Sequence, residues 1–314
     1  MRAFVSGAGG FLGSHLCEAL RDAGHQVTGM ARYRGQDSLG WLDYVLGIEK
    51  VRGDIRDPDQ MRTLIMGHDV VFHLAAVGSV PYSYDSPRLF VETNVTGTLN
   101  VLQACRYANA KLVHTSTSEV YGTAQYEPQD EKHPLNPQSP YAASKVAADA
   151  LVNAFHLSFD MPVVTLRPFN TFGPRQSERA VIASIIRQAV DPRCKTIMVG
   201  NLSTVRDFQY VTDTVSAFQA VAALGEHGNV YNAGSGHATG LGMVTEWARN
   251  ESGKSVASGP NRKRPLLSEV KLLRANAGKL GALWAPKVSL MDGLALTLKW
   301  WRGQPLRADT GYMV

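Results

Sequence analysis

Ser6-Gly7-Ala8-Gly9-Gly10-Phe11-Leu12-Gly13 stands between an apolar run at Arg2–Val5 and a helical pattern at Phe11–Ala23. Three glycines in this stretch have separate tasks. Gly7 allows a tight turn, Gly10 lets the backbone approach a pyrophosphate, and Gly13 lets the helix close on the strand. Phosphates would then sit on the free N–H groups at the helix N-terminus. Outward from this loop, Gln26–Ala31, Asp69–Ala75, Lys111–Thr115 and Pro162–Leu166 read as further buried strands. They alternate with helical stretches at Arg88–Ala108 and Tyr141–Phe159. Strands alternating with helices form βαβ units with right-handed crossovers, so the fold expected is α/β with a doubly wound parallel sheet. Such sheets bind ligands at the carboxyl ends of their strands.

The pattern loosens after Phe169. Helical periods near Ala180–Val190, Thr212–Leu224, Gly242–Asn250 and Leu290–Trp301 are separated by short strands such as Thr196–Val199. This predicts a dinucleotide-binding domain over 1–168, rejoined by segments at about 205–235, and a smaller C-terminal lobe over 169–314. Composition agrees with a folded protein. The 314 residues are 44% hydrophobic and 19% charged, and 32 Lys+Arg against 27 Asp+Glu give a net charge of +5. A mildly basic chain with no long Lys/Arg run suits an anionic small molecule and gives no reason to expect nucleic acid as a partner. No apolar run approaches the roughly 20 residues that span a bilayer. Met1 leads within a few residues into strand and loop without a signal-peptide layout, so a cytoplasmic location is expected. Cys17, Cys105 and Cys194 lie far apart without metal-ligand spacing and read as reduced packing residues, with no metal expected.

Four further stretches bear on chemistry. The second strand runs Val27-Thr28-Gly29-Met30-Ala31-Arg32-Tyr33-Arg34, with no acid at its end where one would bind an adenosine ribose. A guanidinium can instead fork onto a 2′-phosphate, so NADP is favoured over NAD, although Arg32 and Arg34 also fit solvated loop positions. Asp54-Ile55 is placed to flank the adenine, and Asp54 equally suits a helix N-cap. Tyr141-Ala142-Ala143-Ser144-Lys145 puts Tyr141 and Lys145 on one helical face. An adjacent ammonium and an oxidised nicotinamide would favour the phenolate, which could take a hydroxyl proton as hydride leaves the same carbon. Thr115-Ser116-Thr117-Ser118-Glu119-Val120-Tyr121-Gly122 is too polar for a strand interior and so lies over the site. Thr117 can hydrogen-bond the substrate oxygen, and Glu119 offers a second proton-transfer group unless it is a salt-bridged loop acid.

The GxxGxxG spacing is of the short-chain dehydrogenase/reductase style. Together with His73-Leu74-Ala75-Ala76, Asn94–Thr98, Ser116–Gly122, Tyr141–Lys145, Arg167–Asn170, Gly173–Arg175 and Arg206–Phe208, it makes nearly the whole chain resemble the extended branch, the NAD-dependent epimerase/dehydratase family. The likeness is nearest to nucleotide-sugar 4,6-dehydratases of the GDP-mannose or GDP-N-acetylglucosamine type. It implies a Rossmann domain, a GDP- or UDP-type sugar substrate, a tightly bound and recycled NAD(P), and a homodimer. The implied reaction oxidises C4, eliminates water across C5–C6 and returns hydride to C6. Tyr141 would be the base at O4, Lys145 its partner, Thr117 an O4 donor and Glu119 the C5 base. The cofactor would be held by Gly7, Gly10, Phe11, Leu12, Gly13, Arg32, Asp54, Ile55, Leu74, Ala75, Ala76, Asn94, Thr115, Tyr141, Lys145 and Pro168. The substrate would be held by Ser79, Ser118, Asn170, Arg175, Arg206 and Arg264. dTDP-glucose 4,6-dehydratases carry Asp-Glu where this chain has Ser118-Glu119, which leaves the acid at the C6 hydroxyl unassigned. A 4-epimerase, a UDP-glucuronate decarboxylase (with Arg175 or Arg179 on the carboxylate) and a 5,6-dehydratase use related machinery. A non-catalytic NADP-sensing protein would be expected to lose Tyr141 or Lys145. For the dimer, Leu151, Val152, Phe155 and Leu157 supply apolar surface beyond what one sheet face can bury.

Overall fold

A computed structural model describes residues 1–33, 37–259 and 265–305. Six strands alternate with helices through the first half: β1 (Arg2–Ser6), β2 (Gln26–Ala31), β3 (Glu49–Arg52), β4 (Val70–His73), β5 (Lys111–Thr115) and β6 (Val163–Pro168). The helices between them are α1 (Phe11–Asp22), α2 (Pro58–Ile65), α3 (Val80–Asp85), α4 (Pro87–Phe90), α5 (Gly97–Ala108) and α6 (Pro140–Phe159). The second half adds β7 (Asn170–Phe172), α7 (Val181–Val190), β8 (Thr196–Val199), β9 (Val205–Tyr210), α8 (Val211–Leu224) and β10 (Val230–Ala233). It closes with β11 (Ala238–Gly240), α9 (Leu241–Ser252), β12 (Ser255–Ser258), β13 (Leu272–Leu273), α10 (Gly278–Gly281) and α11 (Leu290–Arg302).

The main sheet has seven parallel strands in the order β10-β6-β5-β4-β1-β2-β3. Both faces are covered, so its strands are apolar on both sides and read as continuous runs rather than alternations. One layer packs α1 and α8 against the sheet, and the other packs α2, α5 and α6. The strand order reverses between β1 and β4. There the loops leaving two neighbouring strands run opposite ways and open a crevice at their carboxyl ends. Of the returning segment expected near 205–235, β10 joins the main sheet, whereas β9 organises a small second sheet with β7, β11 and β13. That sheet, with α7, α9 and the β8–β12 pair, overhangs the crevice.

The helix expected over Arg88–Ala108 is broken. Pro87 opens a short turn, a π-helical turn occupies Val91–Thr96, and regular α-helix resumes at Gly97. Asn94 in that turn donates to the Val77 carbonyl (3.1 Å) and to Ser144 Oγ (2.9 Å), and accepts from the Val77 N–H (2.9 Å). Thr98 Oγ1 caps the Asn94 carbonyl at 2.6 Å. A π-turn interrupts the regular carbonyl ladder. Hydropathy periodicity does not register it.

Candidate active site

The nucleotide end is set by close backbone approach. Gly7 adopts φ +74°, and a Cβ there would lie 2.7 Å from the Ala75 N. A Cβ on Gly13 would lie 2.3 Å from the Gly7 carbonyl oxygen, so α1 can seat on β1 only without one. Gly10 instead borders a cavity of about 570 Å³ with Gly7, Arg32, Asp54, Ile55, Leu74, Ala75, Ala76 and Ser79. Gly9 has a role the sequence did not suggest. Its place is fixed by the Leu39 carbonyl oxygen, 2.2 Å from where its Cβ would be, and its own carbonyl accepts from the Trp41 N–H. The N-cap Gly10 provides no side-chain cap, and the first turn of α1 holds no acid. Its free N–H groups therefore face the cavity with positive partial charge. Asp54 is not an N-cap. That role belongs to Asp57, while a bidentate contact with Arg56 holds the Asp54 carboxyl below its usual range. Arg32 is exposed at the end of β2.

A second cavity of about 650 Å³ continues from the first. It is lined by Phe11, Leu12, Ser79, Thr115, Thr117, Glu119, Tyr141, Lys145, Pro168 and Asn170. Ser139 caps α6 through the Ala142 N–H and Pro140 starts it, which places Tyr141 in its first turn. Thr117 caps the short turn Ser118–Tyr121 by accepting from the Glu119 N–H (3.2 Å), so Thr117 and Glu119 are presented together. Lys145 Nζ donates to the Thr115 carbonyl at 2.6 Å. Glu119 is the one carboxylate lining this cavity among the described residues. The buried Thr115 Oγ1 and Asn170 Oδ1 have no protein hydrogen-bond partner.

Burial dominates the electrostatics of this pair in the protein alone. Burial pushes the Tyr141 hydroxyl up to about 12, aided by Glu119 and Asp149 and opposed by a hydrogen bond with Thr117. Burial likewise drives Lys145 down to about 8, opposed by Asp149. Desolvation thus outweighs the mutual help expected of the pair, and Lys145 spends one donor on the Thr115 backbone.

Other expected residues have different surroundings. Arg175 lines none of these cavities. Its guanidinium makes two 2.8 Å bonds to Glu18 and a 3.2 Å bond to Ser14, pinning the Gly173–Arg175 loop to α1. Ser118 is buried beneath the site, and Asn94 clamps the Val77 backbone rather than facing the cavity. Arg206 borders an outer cavity shared with Glu119, Asn170 and Arg179, but already donates to the carbonyls of Val205, Val270 and Lys271. Arg264 and Arg34 lie outside the described residues. Sequence reasoning missed Asp149 and Arg167, a buried ion pair (2.9 Å) under Lys145. The signal was present as one acid inside the apolar run of α6 and one arginine inside the apolar β6.

The glycine cradle, the uncapped α1 terminus and the unpartnered Thr115 hydroxyl fit a dinucleotide whose reactive ring reaches Tyr141. Comparison with known proteins decides the family: residues 4–297 match GDP-mannose 4,6 dehydratase. The chain belongs to that family. As a member of the extended short-chain dehydrogenases, it is 33% identical over 313 residues to UDP-glucose 4-epimerase of Mycolicibacterium smegmatis, covering 97% of this chain and 99% of the relative. It is 35% identical over 313 residues to dTDP-glucose 4,6-dehydratase of Streptomyces griseus, covering 95% and 93%. A crystal structure of a dTDP-glucose 4,6-dehydratase double mutant from Streptomyces venezuelae, with NAD and DAU bound, superposes with a TM-score of 0.88 at 30% identity, covering 96% and 97%. The family thus includes dehydratases and epimerases, and the protein is an enzyme of this nucleotide-sugar class. No helix among the described residues is long and apolar enough to cross a membrane.

Proposed function

We propose that the protein is a nucleotide-diphosphate-sugar 4,6-dehydratase acting as a homodimer in the cytoplasm on a GDP- or UDP-type sugar. The observation that carries this is Glu119 beside Thr117 and Tyr141 on the wall of one cavity. Oxidation at C4 needs only the tyrosine and its partners. A carboxylate there adds what elimination requires, a base for the C5 proton once the 4-ketone has acidified it. An oxidised dinucleotide bound there would supply a hydride acceptor and a positive ring charge. Tyr141 takes the O4 proton while Thr117 holds that oxygen. Lys145, fixed by the Thr115 carbonyl, keeps a positive charge near the phenolate and anchors the ribose. Ser118 is buried, so Glu119, having taken the C5 proton, is also the group that returns a proton to the departing C6 hydroxyl. Asn170 and Arg206 face the diphosphate side, with Arg179 beside them. Arg32 favours NADP, since no acid at the end of β2 would repel a 2′-phosphate.

Glu119→Gln separates the two halves of the reaction. It keeps the shape but cannot accept a proton. The variant should still reduce its bound cofactor on adding substrate, seen as new nicotinamide absorbance, while dehydration falls at least about a hundredfold. Tyr141→Phe should abolish both signals. Near wild-type dehydration by Glu119→Gln would make Glu119 a bystander and hand the C5 proton to another group, whereas a wild type that inverts C4 without losing water would bring forward the 4-epimerase reading, which needs no proton transfer at C5.

A further inference from the structure

Beneath the catalytic wall lies a closed ionic cluster that the proposed reaction does not use. Asp149 sits one helical turn after Lys145 on α6 and is buried. Its Oδ2 accepts from Ser116 Oγ (2.8 Å) and from Arg167 Nη2 (2.9 Å) and Nε (3.2 Å), and its Oδ1 lies 3.3 Å from His114 Nε2. Arg167 also donates to Tyr121 Oη (2.9 Å), which donates to Asn232 (2.7 Å). The charged and titratable groups facing Asp149 are thus Lys145 and, further along, Tyr141 from its own helix, His114 from β5 and Arg167 from β6. Behind them stand His73 on β4, whose ring centre is 5.8 Å from that of His114, and Tyr121. His73 is tied on both nitrogens, to Ser6 (2.9 Å) and Thr98 (3.0 Å).

Burying two cations, two histidines and one carboxylate together is expensive unless the anion offsets the cations. Arg167 and Asp149 alone would form a neutral structural pair. The arrangement goes further: the strand end that holds Lys145 through the Thr115 carbonyl is held to Asp149 through the next residue, Ser116. Position and charge of Lys145 are therefore set from one point. We propose that Asp149 is a positioning residue which, fixed by Arg167 and Ser116, keeps the buried Lys145 ammonium protonated and aimed at the reacting tyrosine. The inference rests on reading Tyr141 and Lys145 as the pair that oxidises C4. Burial holds His114 neutral, down to about 4, so near neutral pH it adds no third positive charge.

The test reads Lys145 directly and without substrate, so it stands apart from the assignment of the reaction. Protein labelled with carbon-13 at the lysine ε-carbons, with Lys145 assigned through Lys145→Met, gives the titration of that one ammonium. In the wild type the midpoint should fall near 8. Asp149→Asn should lower it by about one pH unit or more, the scale of losing a close buried counter-charge. Asp149→Glu should bring it back toward wild type. Because Asp149→Asn strands Arg167 and could impair folding, Asp149→Asn/Arg167→Gln removes the pair as a unit and should lower the midpoint in the same direction, by less because the Arg167 charge goes with it. The alkaline limb of substrate-driven cofactor reduction should move down in parallel. A wild-type midpoint in either folded Asn variant would overturn the proposal. So would a Glu variant that falls as far as the Asn variant, which would mark Asp149 as packing alone. If no nucleotide sugar reduces the wild-type cofactor, the functional reading fails while the titration result stands.

Discussion

Single residues in this site do work that their type alone does not reveal. Arg175 and Arg206 look alike in sequence as substrate ligands, yet Glu18 engages the first and three backbone carbonyls engage the second. A guanidinium has five donors in a fixed fork, so its partners decide how much is left for a ligand. Arg32 is the contrasting case, exposed beside the adenosine end of the cofactor cavity. If it pairs a 2′-phosphate, Arg32→Asp should shift binding from NADP toward NAD by about 1–3 kcal/mol, the size of a charge-assisted hydrogen bond. Mass analysis of cofactor released from the denatured protein checks this. NAD alone would leave Arg32 a surface residue.

At the scale of elements, the catalytic arrangement depends on how closely α1 meets β1 and how α6 meets β5. Gly13→Ala places a Cβ where the Gly7 carbonyl oxygen stands, 2.3 Å away. The helix must then lift from the strand. A loss of about 1–3 kcal/mol in denaturant unfolding is expected, with a larger loss in dinucleotide affinity because the N–H groups of the first turn move with the helix. Unchanged stability and affinity would show that the contact is slack. These elements were legible in the sequence because β-branched runs, the glycine loop and the capped Ser139-Pro140-Tyr141 start each leave a local signature. β2, β5 and β8 match their expected bounds, and α1 and α6 differ by a single residue. What escaped is non-local. The Asn94 π-turn, the Arg175–Glu18 tie across 157 positions and the Asp149–Arg167 pair join distant segments whose own periodicity is ordinary. Val152 shows the same limit: expected among the surplus apolar residues of α6, it faces the sheet and is buried.

At the scale of the whole molecule, the remaining outer face of α5 and α6 bears on assembly. Leu157 is 74% exposed, and Tyr107 and Phe159 are exposed under the guanidinium groups of Arg62 and Arg106 at 4.0 and 3.8 Å. Apolar rings capped by exposed arginines suit an interface that forms between copies of the chain. Light scattering at micromolar concentration should return twice the chain mass, and Leu157→Glu should return the monomer. A monomeric wild type would show that the arginines suffice as cover. A dinucleotide crevice, a Tyr141–Lys145 pair and a carboxylate on one cavity wall together equip the molecule for the proposed elimination across C5–C6. The direct measurement is the mass of the product formed from a panel of nucleotide sugars in deuterated water. A product lighter by about 18 Da before labelling, with one solvent deuterium retained at C5, is expected, because the recycled cofactor leaves no net redox change. Unchanged mass with inverted C4, or a loss of about 44 Da as carbon dioxide, would contradict it.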